Sequence, residues 1–374
     1  MIVKIQLLIC AALMFQPVFL MAQQQTDADA QPTANVQTSQ TESTPQAAKA
    51  QQNKPEIPAE SQVAEAGADF NQEFAFNHLK AICAIGSRMS TSQGMAKQQA
   101  MLQKHFETLG AQVGYQNFNV NNPKNGQSAT LSNLIVRFHP KRKTRLMICC
   151  HYDTRPFPDR DPVNPQGVFI GANDGASGAA FLCELGRHMP NMEGPVGFDF
   201  VFFDGEEFVY VANRDPMFLG SIHFAQQYQA GKWDVRYPYA VLVDMIGDKN
   251  LQLKMEVNSY NMAQDLTRMI WTVAKDLKVR EFKAAKGHTI KDDHLPLNQI
   301  AKIPTCDIID FDYPKPGMRN RYWHTTQDSV ENCSADSLGK VGVVMLEWSR
   351  RMQEIYRKQN RKKKKNSRTA TRNQ

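Results

Sequence analysis

Phe198-Asp199-Phe200-Val201-Phe202-Phe203-Asp204-Gly205-Glu206-Glu207-Phe208 is the stretch that decides how the rest of the chain is read. Phe198, Phe200, Val201, Phe202 and Phe203 form an apolar, β-favouring run, the signature of a buried strand. Gly205 breaks the run and two carboxylates follow at once. Open α/β sheets place their sites at such strand ends. Neighbouring side chains at a strand exit point in different directions, so one carboxylate can bind a metal while the other faces a substrate as a base. The plain alternative is an acidic turn that solvates the end of a core strand, since short motifs match by chance often. Polar residues at the other strand ends weigh against it.

Upstream, the strand Arg145–Cys150 ends in His151-Tyr152-Asp153-Thr154-Arg155-Pro156. A His and an Asp two apart on an extended segment share one side. They suit a metal ligand with its orienting partner. A polar loop runs from Pro156 to Phe169, then Gly171-Ala172-Asn173-Asp174-Gly175-Ala176-Ser177-Gly178, whose small residues allow close backbone approach. Asp174 sits just ahead of a helix, Ala176 to Met189, where an ordinary N-cap is the alternative reading. Still further upstream, helices cover Phe70–Ile85 and the stretch from Ser90 or Thr91 to Leu109. Strands at Gln112–Val120 and Thr130–Phe138 join Arg145–Cys150 as one side of a mixed sheet.

Downstream, Leu219-Gly220-Ser221 opens a helix through about Tyr228, and Tyr239–Ile246 is a buried strand. Asp244 lies inside that apolar run, where a charge costs several kcal/mol unless paired or metal-linked. Asn261–Leu277 is an amphipathic helix with Trp271 in the core. Asp292-Asp293-His294, a short strand Ile303–Ile309, Tyr322-Trp323-His324-Thr325 and a last helix from Leu338 to about Tyr356 follow. Strands and helices alternate, which predicts a three-layer α/β/α sandwich around a mixed, largely parallel central sheet.

The 374 residues divide by composition. Residues 1–22 read as a signal peptide, with Lys4, the mostly apolar run Leu7–Leu20 and a cleavage site after Ala22. Export follows, to periplasm, envelope or medium. Residues 23–67, rich in Gln, Ala, Thr and Pro, cannot bury a core and read as a disordered linker. Residues 68–356 fit one α/β domain. Residues 357–374 are a basic tail, read as disordered, with nine Lys or Arg and no acid, so the formal net charge of +7 becomes −2 without it. Such a tail solvates or weakly contacts anionic surfaces, and with an export signal present a nucleic-acid partner is not expected. Six cysteines remain beyond Cys10, none in a CxxC pair, which argues against a zinc knuckle. Their pairing is left open.

Collected at strand ends are His151, Asp153, Asp174, Glu206, Glu207, Asp244, Asp292, Asp293, His294 and His324. Mixed His and carboxylate ligands suit zinc, and a catalytic zinc keeps an open position beside its protein ligands. No G-x-S-x-G and no G-x-G-x-x-G occurs in the right context, which removes the serine-hydrolase and dinucleotide readings.

The order His151-Tyr152-Asp153, Asn173-Asp174, Glu206-Glu207, Asp244, His324 resembles the zinc aminopeptidase superfamily. Within it the chain is most similar to the glutaminyl-peptide cyclotransferases, through Asp292-Asp293-His294-Leu295-Pro296 and Trp323-His324-Thr325. The resemblance runs from about Ile82 to Trp348. It implies one zinc on Asp174, Glu207 and His324, with Glu206 as general base and acid. It implies a hydrogen-bonded acidic pair, Asp244 and Asp292, near the substrate amide, and Trp323 as a pocket wall. The substrates would be peptide or protein N-termini. The aminopeptidase pattern would add a second zinc on His151 and Asp244, with Asp174 bridging, and all those residues are present. Three positions depart from the animal cyclases. Ala212 stands for a pocket Trp, Asp307 for a His, and Ala179 for the cysteine that would pair with Cys150.

Overall fold

The computed structural model describes residues 62–372 apart from Ala66, Pro316 and residues 318–320. The segment read as a signal peptide and most of the linker lie outside the described residues. Helices α1 (Gln72–Cys83) and α2 (Gln93–Thr108) come first, capped by Asn71 and Ser92, whose side chains accept from the Phe74 and Met95 N–H groups. Strands β1 (Gln112–Asn121), β2 (Ser128–Phe138) and β3 (Arg145–His151) follow, then α3 (Ala176–His188), β4 (Gly197–Phe203), α4 (Leu219–Gln229) and β5 (Ala240–Asp244). The chain continues through β6 (Leu253–Met255), α5 (Val257–Met262), α6 (Gln264–Asp276), β7 (Phe282–Lys286), α7 (His294–Gln299), β8 (Thr305–Ile309) and α8 (Ala335–Arg372).

The main sheet has the order β1-β2-β4-β3-β5-β8. β1, β2 and β4 pair antiparallel, while β4, β3, β5 and β8 run parallel. The three strands expected on one side of the sheet do lie there, with β4 inserted between β2 and β3. The cause is the quoted Phe run: all seven β4 residues are buried, and a strand apolar on both faces belongs at the centre of a sheet covered on both sides. Leu146, Ile148 and Phe200 face one cluster with α1, α3, α6 and α8, while Met147, Cys149 and Val201 face a second with α4 and α7. The three-layer sandwich is therefore as expected. From β3 the chain crosses to β4 on one side, and from β5 it crosses to β8 on the other. That divergence opens a crevice at the carboxyl ends of the parallel strands.

Three boundaries differ from the sequence reading. The ordered chain reaches back to Gln62 rather than starting at 68: Ala64 is buried, its N–H donates to Arg187 O at 2.9 Å, and Arg187 Nε donates to Gln62 O at 2.7 Å. The helix expected over Asn261–Leu277 breaks at Ala263 (φ −136°) into α5 and α6. The tail expected to lack structure continues α8 to Arg372. Lys, Arg and Gln are strong helix formers, and the buried Trp348 and Met352 have already fixed the preceding turns, so the cost of nucleation falls away. No helix among the described residues is long and apolar enough to cross a membrane.

Candidate metal and substrate site

Four loops meet at the crevice. Gly205, at φ +78°, turns the chain out of β4, and a Cβ there would stand 2.4 Å from Leu131 Cδ2, so only glycine permits this exit. Both glutamates are then pinned through their backbone. Asp153 accepts from the Glu206 N–H at 3.2 Å and from the Glu207 N–H at 2.9 Å. Its oxygen lies 3.7 Å from His151 Nδ1, too far for a hydrogen bond. Asp153 therefore holds the Glu pair more than it orients His151, the role its spacing suggested. Asp174 is not an N-cap: α3 is capped by Gly175, with no side-chain bond. Its loop is held by Asp328, which accepts from the Asn173 and Asp174 N–H groups at 2.7 and 3.1 Å.

Asp174, Glu207 and His324 come together, with one ligand atom from each within 4.8 Å of the others. His324 Nε2 is 3.0 Å from Glu207 Oε1 and 3.5 Å from Asp174 Oδ2. His324 adopts φ +57°, an uncommon conformation for a non-glycine residue that concentrates at functional positions. Around this trio stands a ring the sequence reading did not assign. Arg155 Nη1 donates to Glu207 Oε2 at 2.7 Å and its Nε to Asp159 Oδ1 at 2.9 Å, while Asp159 Oδ1 is 3.3 Å from His324 Nδ1. Arg155 stood in the quoted His-Tyr-Asp-Thr-Arg stretch, where its position was the only signal. Asp159 and Asp328 carried none.

A second trio shares Asp174. His151 Nε2 lies 3.1 Å from Asp174 Oδ1 and 3.3 Å from Asp244 Oδ1. Both trios fit a metal. Asp174 Oδ2 is buried and has no hydrogen-bond partner. Burial opposes charge on His151 and His324, yet the surrounding carboxylates hold both imidazoles above their ordinary value. The local field is thus strongly negative and attracts a cation. His324, with Asp159 beside its Nδ1 and Nε2 turned toward Glu207 and Asp174, has the donor arrangement zinc sites use.

Glu206 points elsewhere. It is buried, and its carboxyl accepts no hydrogen bond among the described residues. Burial, then the charge of Glu207, pushes its pKa well above the usual carboxylate range. Burial, with Asp244 and Asp293 adding to it, does the same to Asp292. Asp292 Oδ1 accepts from the Asp293 N–H at 2.5 Å, and its Oδ2 is buried without a partner. The charge of Asp244 is the first influence on Asp292 after burial, so the two carboxyls lie close enough to interact. Asp293 does not hold His294, as its neighbouring position suggested, but accepts from the Ser221 hydroxyl. His294 lies between Glu256 and Asp307, at 3.3 and 3.5 Å.

Trp323 is half-buried, with its ring centroid 3.8 Å from that of His324 and 5.1 Å from that of Phe311. It belongs to a small apolar cluster with Met245 and Ile309. Ala212 is exposed. All six cysteines among the described residues are free and buried.

Comparisons with known proteins point the same way as the geometry. The model of peptidase family M28 matches residues 133–349. A glutaminyl-peptide cyclotransferase from Bothrops jararaca is 30% identical over 258 residues, covering 59% of this chain; the chain spans 66% of that protein's length. The crystal structure of Fimbriiglobus ruber glutaminyl cyclase superposes with a TM-score of 0.70 at 37% identity, covering 75% of this chain and 95% of that one. A Zn-dependent exopeptidase from Parabacteroides distasonis gives a TM-score of 0.70 at 29% identity, covering 75% and 98%.

Proposed function

The chain belongs to peptidase family M28, and from that premise we propose that it is a zinc-dependent glutaminyl-peptide cyclotransferase, closing N-terminal glutamine to pyroglutamate with release of ammonia. The observation that carries this is the division of labour in Glu206-Glu207. Glu207 is committed to His324 and Arg155, whereas the carboxyl of Glu206, beside it and buried, has no hydrogen-bond partner among the described residues. Relatives named glutaminyl-peptide cyclotransferase and glutaminyl cyclase support the reading.

In this reading one zinc is held by Asp174, Glu207 and His324 and supplies a Lewis acid for the γ-carbonyl of the substrate glutamine. The α-amine attacks that carbonyl carbon, a five-membered lactam forms, and the bond to the side-chain nitrogen breaks. Glu206 takes a proton from the attacking amine and returns it to the leaving nitrogen, which departs as ammonia. Positioned proton transfer of this kind typically contributes about 10²–10⁴-fold. Asp292 Oδ2, buried without a partner, receives an N–H of the side-chain amide. The charge of Asp244 acts on Asp292. Trp323 offers a flat apolar face to the glutamine methylenes. Arg155 and Asp159 fix the directions of Glu207 and His324.

A second reading, a metallo-aminopeptidase, is favoured by one specific observation: His151, Asp174 and Asp244 form a second donor trio that shares Asp174 with the first. That reading takes two zincs and releases free N-terminal residues. Mass analysis of products from Gln-Xaa and Leu-Xaa peptides separates the two. Loss of ammonia from Gln-Xaa with Leu-Xaa untouched is expected. Free leucine, with Gln-Xaa merely cleaved, would overturn the cyclase reading.

Export under the segment 1–22 and a weak contact of the basic C-terminal segment with anionic surfaces complete the proposal.

A further inference from the structure

The surface carries a groove lined by none of the residues assigned to the reaction. Its floor is apolar: Trp271, Val279 and Phe282. The Trp271 indole N–H is already spent on Lys283 O, at 2.9 Å, so the ring presents carbon. Its rim is cationic: Arg268, Lys275, Lys278 and Arg280, with no carboxylate among the lining residues. Lys275, Lys278 and Arg280 are exposed and make no ion pair among the described residues.

This groove and the basic end of α8 belong to one face. Arg351 Nη1 donates to Asp276 Oδ2 at 2.6 Å, which ties α8 to the end of α6 beside Lys275. The basic segment begins six residues later at Arg357, about 9 Å along a helix that rises 1.5 Å per residue. Arg357 Nη2 reaches Glu193 O at 3.5 Å, just ahead of Gly197, where β4 begins. The cations therefore gather at the amino ends of the parallel strands, while the site lies at their carboxyl ends. Residues 358–366 are exposed along the helix.

From this juxtaposition we infer that the α6–β7 groove and the basic end of α8 form one docking face for a bilayer containing anionic phospholipid. The phosphate sits among Lys275, Lys278 and Arg280 and the glycerol and upper acyl carbons lie against Trp271 and Phe282. Charge complementarity supplies the attraction, and the apolar floor with a charged rim fits an amphiphile better than a simple anion. Bound in this way, the protein turns its crevice away from the membrane, open to peptides in solution. The inference deepens the surface contact proposed for the basic segment and rests on it.

Co-sedimentation of the full chain with vesicles tests it. Vesicles of phosphatidylcholine alone should not bind, and vesicles one third phosphatidylglycerol should. Each cation near such a surface contributes about a factor of five, so the triple variant Lys275→Gln, Lys278→Gln, Arg280→Gln should bind roughly 10²-fold more weakly. Its turnover of a small neutral peptide should stay that of the parent. Deleting residues 358–374 should weaken vesicle binding separately. Parental vesicle binding by the triple variant, with loss in the truncated chain, would remove the groove and leave the tail contact standing. No binding of the full chain to phosphatidylglycerol vesicles would remove both. Binding to polyphosphate, with no preference for the charged vesicles, would make the ligand a soluble polyanion and overturn the bilayer.

Discussion

The two halves of the crevice are built on opposite terms. On one side, Glu207 and His324 are each held by a second layer: Glu207 by Arg155, His324 by Asp159, and Arg155 and Asp159 by each other. On the other side, Asp292, His294 and Asp307 stand close together, yet Asp292 Oδ2 and both carboxyl oxygens of Asp307 have no hydrogen-bond partner among the described residues. Burial, with neighbouring acids adding to it, raises Asp307 well above the usual carboxylate range, as it does Asp292. Buried polar groups left unpaired cost free energy. The first half is thus complete in its outer contacts, as the proposed metal cradle requires. The second half is unfinished until protons are shared within it or a substrate amide enters. The proposed site, which would grip a metal firmly and accept a variable hydrogen-bonding partner, benefits from that asymmetry.

The largest expected effect breaks the link between the two halves. Glu206→Gln should lower turnover of a Gln-peptide by about 10²–10⁴-fold while zinc content, read by elemental analysis, stays unchanged. His324→Ala should lose the metal instead. Zinc loss in the first variant with full activity in the second would reverse the roles assigned here.

Asp292→Asn comes next and probes the unfinished half. Hydrogen bonds involving charged groups are worth about 1.5–3 kcal/mol, so kcat/KM on Gln-peptides should fall roughly 10–10²-fold, again with zinc retained. An Asn that cyclised Gln-peptides at the parental rate would show that the orphaned oxygen does not meet the substrate.

Asp159→Asn probes the finished half. Partners behind metal ligands typically govern 10–100-fold in metal affinity or activity. Zinc affinity, measured against a competing chelator, should weaken by about that factor, and added zinc should recover most of the turnover. Weakened turnover at saturating zinc with parental affinity would move Asp159 from holding the metal cradle to the reaction itself.

The smallest effect is expected at the far pole. Removing residues 358–374 should leave kcat/KM on a small neutral substrate unchanged, because the segment leaves the domain at the opposite end of the sheet from the crevice. A large loss would bring the helix end into the site.

Residue order alone determined the sheet class and the crevice. Apolar runs that end in polar residues mark parallel strands and where their side chains emerge, and that signal is local. Asp174, Glu207 and His324, spread over 150 residues of sequence, were joined through resemblance, and the fold brought them within ligand distance. What the sequence could not contain was the second layer. Asp159 and Asp328 sit in loops with no periodicity, and their meaning comes from N–H groups and an imidazole that only the folded chain brings to them. The same holds for the insertion of β4 between β2 and β3, since pairing depends on which strand is apolar on both faces relative to its neighbours. It holds also for α8, where composition described a solvated charge run, and helix propagation from a packed core decided its conformation.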